Sequence, residues 1–261
     1  MKCSYHNHTT RCNHATGTEA EYLGVALRAG YRVFGFSDHA PQPFSDGFIS
    51  PSRMRMEQLP EYVSTIRELR EPVKDRISVP IGLEMEYYPA IFKDAVDYYL
   101  ECGVEYLILG QHGLREEGKP DWVNSFFKQT DKAVLTEYVD TCIEAMETGV
   151  YSYFAHPDVL KFEGDEKFYE KEVRRLLAAT EKYRMPVEVN MFGILDGRHY
   201  PNPAFWRIAS EYRLNVLLGR DAHAVSRVDP TSEYPNAYAF VKKCGLKLTD
   251  TVDLKKPFPK K

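Results

Sequence analysis

Three histidines lie close together near the start of the chain, in the segment HNHTTRCNH at residues 6–14. This spacing is notable because the whole chain of 261 residues contains only eight histidines. His6 and His8 are two positions apart, so in an extended strand both imidazoles lie on one side and Asn7 faces the other. Two imidazoles on one side can bind a single cation. The segment therefore suggests a metal site, whose remaining ligands must come from later in the chain.

Other ionisable residues follow short apolar segments, as in RVFGFSDH, VPIGLEMEY, VEYLILGQH, VYSYFAHPD and LNVLLGRDAH. A single histidine in such a place is usually structural or exposed, but here seven of the eight histidines fall at the ends of predicted strands or in the first loop. With two carboxylates they form the candidate ligand set: His6, His8, His14, His39, Glu84, His112, His156, Asp221 and His223. Because all of these residues lie at the ends of predicted strands or in the first loop, a common metal site is favoured over a separate structural role for each.

The chemistry of this set indicates which ions it binds. Imidazole and carboxylate together suit zinc, manganese or iron, whereas calcium and magnesium prefer oxygen ligands alone. Nine candidates are too many for one tetrahedral ion, so we expect two or three divalent ions, with a carboxylate bridging a pair. Glu84 is a candidate for the bridging ligand. Glu86 is the competing candidate, because residues two apart in a strand point to the same side.

Seven segments rich in β-branched and aromatic residues alternate with amphipathic patterns typical of helices. Thr18 and Glu21 have capping-box spacing before the first helix, and Pro60 should kink the second or end its first part. Repeated strand–helix units imply parallel strands, in either an open sheet or a closed barrel. Only a barrel gathers so many strand ends around one mouth. We therefore predict an α/β fold, a (β/α)₇ barrel forming a single domain over residues 1–261.

Composition narrows the class of protein. A net charge of −4 and a pI near 6.1 leave no global basic field to attract polyanions, so nucleic acid is a disfavoured partner. The basic segment KKPFPKK at 255–261 is interpreted as a solvated tail. No apolar run reaches the length of a membrane span, and the first residues lack the apolar stretch of a signal peptide, so we expect a cytoplasmic protein without membrane contact.

Five cysteines without CxxC spacing argue against disulfides or a zinc knuckle. The oligomeric state stays open.

The ordered set HxH, DH, GLE, H, HP, DAH, from His6 to His223, resembles the PHP (polymerase and histidinol phosphatase) superfamily. The resemblance implies a distorted, TIM-like (β/α)₇ barrel with a trinuclear metal centre that hydrolyses phosphoesters. It favours Glu84 over Glu86 as the bridge. It also implies how the ligands are shared: His6, His8, Glu84 and Asp221 at one ion, Glu84, His112 and His156 at a second, and His14, His39 and His223 at a third.

More specifically, the opening HNHTTRCNHATG is similar to that of the histidinol-phosphate phosphatase branch of this superfamily. Arg198, in FGILDGRHYPNPAFW, lies where that branch carries a phosphate-binding arginine. The resemblance implies hydrolysis of a small phosphomonoester, L-histidinol phosphate, to L-histidinol and phosphate in histidine biosynthesis. We expect the metals to lower the pKa of a bridging water, so that hydroxide attacks phosphorus and no protein nucleophile is required.

Several residues have open roles beside the ligands. Arg198 and Lys161 could neutralise phosphate oxygens, although a solvent position is the simpler interpretation of Lys161. Arg220 stands where a small residue more often precedes the Asp, so it either contacts phosphate or turns away. Asp38 either orients its neighbours, which we favour, or protonates the leaving oxygen. His199 could contact the substrate or pack its loop.

The segment GLREEGKPDWVNSFF, which follows His112, is expected to be a loop long enough to form a wall of the pocket. Its aromatic residues Trp122, Phe126 and Phe127 could line that wall, although core packing is the simpler interpretation.

Four other functions compete with this interpretation. A phosphotyrosine phosphatase or an oligonucleotide phosphodiesterase of the same fold would share every metal ligand. An amidohydrolase also begins with HxH, but it usually carries a bridging lysine where this chain reads GLE. A non-catalytic metal-binding module would lack some ligands, whereas all nine positions are filled here. The motif set therefore favours phosphomonoester hydrolysis.

Overall fold

The structure is a computed structural model that describes residues 2–257, so the last four residues of the predicted basic tail lie outside it. Eight α-helices occur in this part of the chain: α1 (Glu19–Arg28), α2 (Leu59–Arg70), α3 (Pro89–Cys102), α4 (Lys132–Thr148), α5 (Glu166–Lys182), α6 (Met191–Leu195), α7 (Pro203–Ala209) and α8 (Tyr234–Lys243). None of these helices is both long and apolar enough to cross a membrane.

The ten strands between them are short: β1 (Cys3–Ser4), β2 (Val33–Phe34), β3 (Phe36–His39), β4 (Ile81–Met85), β5 (Tyr106–Leu109), β6 (Gly113–Leu114), β7 (Val123–Asn124), β8 (Tyr153–Phe154), β9 (Val187–Asn190) and β10 (Val216–Gly219). Six of them form one parallel sheet in the order β10-β9-β8-β5-β4-β3, and β1 pairs with β2. Consecutive strands are neighbours, as expected for strands joined by helical crossovers.

The first segment of the chain joins the two edges of this sheet. On one side, the backbone N–H of Gly35 donates to the carbonyl of Ser4 at 2.8 Å. On the other side, the N–H of Asp221 donates to the carbonyl of His6 at 2.9 Å, and that of His8 donates to Ala222 at 3.0 Å. These bonds close seven parallel strand positions into a distorted barrel, which confirms the predicted fold.

The lower half of the barrel is filled by aromatic side chains. Tyr106 is fully buried, and its hydroxyl donates to the backbone carbonyls of Tyr5 and Phe36 at 2.6 and 3.1 Å. A Cβ atom at Gly82 would collide with the Tyr106 ring, so glycine at this position makes room for it. Because this end is packed, a ligand can enter only at the opposite mouth, where the strands end.

Two local features differ from the sequence prediction. The segment GLREEGKPDWVNSFF, expected as a loop, contains an antiparallel hairpin of β6 and β7. A short helix, α6, begins immediately after β9, with Asn190 as its N-cap. For Pro60 the second of the two predicted alternatives applies: a 3₁₀ turn at Met56–Gln58 ends just before it, and α2 begins at Leu59 with Pro60 in its first turn, where proline needs no hydrogen-bond partner.

The predicted capping box at the start of α1 is confirmed. The N–H of Glu21 donates to Thr18 Oγ1 at 3.3 Å, and the N–H of Thr18 donates to Glu21 Oε2 at 2.8 Å. We expect Thr18→Ala to lower the free energy of unfolding by about 1 kcal/mol, measured by urea denaturation. Ser64→Ala, at an exposed position inside α2, is the matched control and should change it by less than about 0.5 kcal/mol. Equal effects of the two substitutions would contradict the capping role.

Candidate metal centre

The nine predicted ligands converge at the mouth of the barrel, each from the carboxyl end of a strand or the loop that follows it. Neighbouring imidazoles nearly touch: ring centres are 5.1 Å apart for His6 and His8, 4.0 Å for His8 and His223, and 5.0 Å for His112 and His156. Residues from opposite ends of the sequence therefore meet in one cluster, as the spacing predicted.

Glu84 lies at the centre of this cluster and is 1% exposed. Its carboxylate faces five imidazoles. The distances are 2.9 Å to His156 Nε2, 3.2 Å to His112 Nε2, 3.1 Å to His39 Nδ1, 3.4 Å to His6 Nε2 and 3.6 Å to His8 Nε2. One carboxylate surrounded in this way has the geometry expected of a ligand shared by two cations.

Four buried ligand atoms have no hydrogen-bond partner within residues 2–257: His6 Nε2, His8 Nε2, Glu84 Oε2 and Asp221 Oδ1. They also face one another, since Asp221 Oδ1 lies 3.0 Å from His8 Nε2 and 3.5 Å from His6 Nε2. Buried polar atoms normally have partners, because leaving them without one costs free energy. This donor set therefore fits a divalent cation such as zinc, manganese or iron.

A second part of the cluster is formed by His14, His39 and His223. The His14 ring centre lies 5.2 Å from that of His39 and 4.8 Å from that of His223. His14 Nδ1 lies 2.7 Å from the carbonyl of Cys12, and His223 Nδ1 lies 3.0 Å from that of Asp221, which leaves each Nε2 available as a ligand atom. Cys12 itself is not needed here, since burial raises the pKa of its thiol and its Sγ donates to the Thr9 carbonyl.

The electrostatics of the cluster are those of a cation site. Burial lowers the pKa of His8, but Asp221 and Asp38 outweigh it and raise the pKa to about 9. Burial likewise opposes the charged form of His112, yet Glu84 and Glu86 raise its pKa to about 10. These carboxylates stabilise the positive charge of the protonated imidazoles. The same negative field would stabilise bound metal ions, whose binding would displace those protons.

Carboxylates outside the ligand set hold the imidazoles in place. Asp38, fully buried, lies 3.3 Å from His8 Nδ1 and accepts a hydrogen bond from the N–H of His39 at 2.8 Å. Glu86 lies 2.9 Å from His112 Nδ1 and forms an ion pair with Arg53 at 2.8 Å. Glu86 therefore supports a ligand instead of bridging metals, which favours Glu84 as the bridge.

Sequence reasoning missed two polar residues of β9, Glu188 and Asn190. Both are buried, and Glu188 Oε2 lies 2.9 Å from His6 Nδ1. A signal for them was present, because the segment VEVN alternates apolar and polar residues in a strand expected to be buried on both faces.

The position of Asp38 leads to a prediction about its role. Asp38 is fully buried, and its carboxylate contacts His8 Nδ1, the Thr9 hydroxyl and the N–H of His39, so it is engaged in holding its neighbours. We expect Asp38→Asn to lower kcat by about 10- to 100-fold while leaving the metal content nearly unchanged, because it would disturb only the orientation of His8. Steady-state kinetics and elemental analysis of the same preparation test this. Loss of metal in proportion to activity would show that Asp38 is itself a ligand.

A cavity of about 470 Å³ lies over the metal cluster. Two guanidinium groups line it. That of Arg53 is occupied by Glu86 and Glu117 at 2.8 and 2.9 Å. That of Arg198 lies 4.4 Å from the Phe192 ring centre, and within residues 2–257 its nearest polar partners are at 3.4 and 3.8 Å. Arg198 therefore has donors available for an anion in this cavity.

The other three predicted substrate contacts lie elsewhere, and the cavity lining includes none of them. Arg220 is the clearest correction, because its fully buried guanidinium is turned away to Glu233 and the carbonyl of Arg227. Lys161 Nζ lies 3.5 Å from Glu163. His199 Nε2 lies 2.7 Å from the carbonyl of Val159, which agrees with the loop-packing alternative.

The three aromatic residues that could form a wall of the pocket do not all lie at the cavity. Trp122 and Phe126 line the cavity, whereas Phe127 is 69% exposed. The hairpin of β6 and β7 positions the first two, and Phe126 stacks on His112 with ring centres 5.7 Å apart. The cavity is thus apolar on one side and charged at its base.

A closed barrel with a buried histidine–carboxylate cluster at its mouth defines the class of metal-dependent hydrolases built on TIM-like barrels. Within that class, the chain belongs to the PHP domain family, whose sequence model matches residues 4–191.

Comparisons with individual proteins agree with this assignment. The chain is 29% identical over 239 residues to the "Probable histidinol-phosphatase" of Deinococcus radiodurans, covering 87% of this chain and 88% of that protein. It is 25% identical over 268 residues to the histidinol-phosphatase of Bacillus subtilis, covering 92% of this chain and 98% of that protein. Among solved structures, histidinol phosphate phosphatase of Lactococcus lactis, crystallised with zinc, L-histidinol and phosphate, superposes with a TM-score of 0.70 at 20% identity over 97% of this chain and 98% of that one. This last likeness shows a shared fold.

Proposed function

We propose that the protein is a metal-dependent phosphatase that hydrolyses L-histidinol phosphate to L-histidinol and phosphate. The observation that carries the proposal is the placement of Arg198, a guanidinium with free donors, beside a cavity whose base is the histidine–carboxylate cluster. A phosphate group there would meet positive charge from both sides. The names of the Deinococcus and Bacillus relatives supply the substrate.

The residues divide into those that would hold cations and those that would hold the substrate. His6, His8 and Asp221 would bind one ion, Glu84 would share it with a second ion held with His112 and His156, and His14, His39 and His223 would bind a third. When bound, such ions act as Lewis acids that lower the pKa of a water and neutralise phosphate oxygens.

The chain supplies binding and orientation around that chemistry. Arg198 can donate two parallel hydrogen bonds to phosphate oxygens, which fixes the orientation of the phosphorus atom above Glu84. Phe192 and Tyr200 hold the guanidinium from its sides. Trp122 and Phe126 line the cavity and exclude bulk water, so that the charges act at short range with little screening. Asp38 and Glu86 keep the imidazoles of His8 and His112 in their binding orientation.

The size and charge of the cavity favour a small substrate. About 470 Å³ is in the range of pockets for single small molecules. The chain has a net charge of −4, so it has no overall positive charge to attract a polynucleotide. These observations support a phosphomonoester over an oligonucleotide.

The test is phosphate release from three substrates with zinc- or manganese-loaded protein: L-histidinol phosphate, phosphotyrosine and a dinucleotide. We expect kcat/KM for L-histidinol phosphate to exceed the other two by at least about 100-fold, which corresponds to about 3 kcal/mol of differential transition-state binding. Preference for phosphotyrosine or for the dinucleotide would contradict the proposed substrate. Absence of hydrolysis of all three by metal-loaded protein would contradict the proposed enzyme class.

A further inference from the structure

Glu188 is a carboxylate inside the barrel that the proposed reaction does not use directly. It lies on β9, it is fully buried, and it is not among the residues that line the cavity. Both of its oxygens lie close to His6 Nδ1, which is 2.9 Å from Oε2 and 3.2 Å from Oε1. Within residues 2–257 no lysine or arginine pairs with it, so its charge has His6 as its ionic partner.

This contact determines the form of the His6 ring. An ionised carboxylate only accepts hydrogen bonds, so Nδ1 of His6 must carry a proton when it faces Glu188. The lone pair of the neutral ring is then on Nε2, the atom that lies 3.4 Å from Glu84 and 3.5 Å from Asp221 and has no hydrogen-bond partner among the described residues. Glu188 therefore selects the tautomer in which His6 can bind a cation.

The position of Glu188 is itself constrained. Asn190 Nδ2 donates to Glu188 Oε1 at 2.9 Å and to Asp221 Oδ2 at 3.0 Å, so one amide holds two carboxylates apart. The Asn190 Oδ1 atom accepts from the N–H of Gly193 at 2.8 Å, which fixes the amide orientation. On the neighbouring strand, a Cβ atom at Gly219 would collide with the Glu188 carboxylate. Glycine at 219 leaves the space that Glu188 occupies.

From these contacts we infer that Glu188, held by Asn190 and given space by Gly219, is a positioning residue that fixes the tautomer and orientation of His6 for metal binding. This inference rests on the proposed metal-dependent function but concerns the affinity of the metal site for a cation. Removing such an outer partner of a metal-binding histidine typically lowers metal affinity by about 10- to 100-fold.

Two variants separate the charge of Glu188 from its position. Glu188→Gln keeps the shape but removes the charge that stabilises the Nδ1–H form, and Gly219→Ala keeps the carboxylate but pushes it from its place. Both should lower zinc affinity by about 10- to 100-fold in competition with a chromophoric chelator. The control is Glu172→Gln, a buried carboxylate on α5 that pairs with Arg175 and should leave zinc affinity unchanged.

A second readout reports the tautomer directly. In ¹⁵N-histidine NMR spectra of the zinc-loaded protein, His6 should show a protonated Nδ1 in slow exchange with water, and this signal should shift or disappear in Glu188→Gln. Zinc affinity and the His6 signal both equal to wild type in folded Glu188→Gln would overturn the inference. Because neither readout depends on phosphate release, a wild-type protein that binds zinc without hydrolysing L-histidinol phosphate would refute the proposed substrate and leave this inference standing.

Discussion

A Glu84→Gln variant is expected to lose most of its bound metal and to lower kcat by at least about 1000-fold. The substitution keeps the size of the side chain, but it replaces a carboxylate that faces five imidazoles with a neutral amide. Loss of a shared anionic ligand removes several kcal/mol of transition-state charge stabilisation, and each 1.36 kcal/mol is a tenfold change in rate. Elemental analysis and phosphate-release kinetics on one preparation measure both effects.

Glu86→Gln is the matched comparison, since Glu86 is equally buried and two residues away on the same strand side. It contacts His112 Nδ1 and Arg53 instead of facing the other imidazoles. We expect a smaller loss, about 10- to 100-fold in kcat, with at least one metal retained. If Glu86→Gln lost more metal than Glu84→Gln, the bridge would have to be assigned to Glu86.

The second large effect is expected at Arg198. Arg198→Ala should lower kcat/KM by about 10- to 100-fold without changing metal content, because hydrogen bonds to charged groups contribute about 1.5–3 kcal/mol. Arg198→Lys should be intermediate, since an ammonium keeps the charge but cannot make two parallel bonds. Steady-state kinetics with L-histidinol phosphate and elemental analysis provide the measurements.

Arg207→Ala serves as the control for this substitution, because Arg207 is an exposed arginine in the last turn of α7 and does not line the cavity. It should leave kcat/KM within about twofold of wild type. A similar result for Arg198→Ala would show that phosphate is held by the metals alone and that the role of Arg198 is wrong.

Much of the metal centre could be predicted from sequence because its geometry follows from the periodicity of strands. His6 and His8 are two residues apart, so their imidazoles share a side wherever the strand lies. The parallel βα order then brings the carboxyl ends of all strands to one mouth. Those two rules were sufficient to gather ligands as distant in the chain as His14 and His223.

The supporting residues could not be predicted in the same way. Glu84 and Glu86 are two residues apart, so the alternation of side chains along a strand puts both on the same side and cannot distinguish them. Which of the two faces the other ligands depends on how β4 is placed against its neighbours. Arg220 precedes a ligand in sequence, yet its side chain pairs with Glu233 near α8, because Arg220 lies beyond the end of β10, where strand alternation no longer sets the direction of a side chain. Glu188 has its role only through contact with His6, which is 182 residues away.

The hairpin of β6 and β7 was missed for a related reason. Its strands are two residues long, too short for an alternating pattern to be recognised, and its stability comes from packing of Trp122 and Phe126 at the cavity. Such a tertiary effect is not visible in local sequence. It nevertheless forms part of the cavity wall that we expect to contact the substrate.

The most direct test of the central claim is anomalous diffraction at the zinc edge from crystals grown with zinc. We expect at least two peaks at the barrel mouth, with the Glu84 carboxylate touching two of them and with His6, His112 and His223 each bonded to one. Peaks that lie away from Glu84, or these three histidines pointing into separate regions of the molecule, would contradict the shared metal centre and with it the proposed phosphatase.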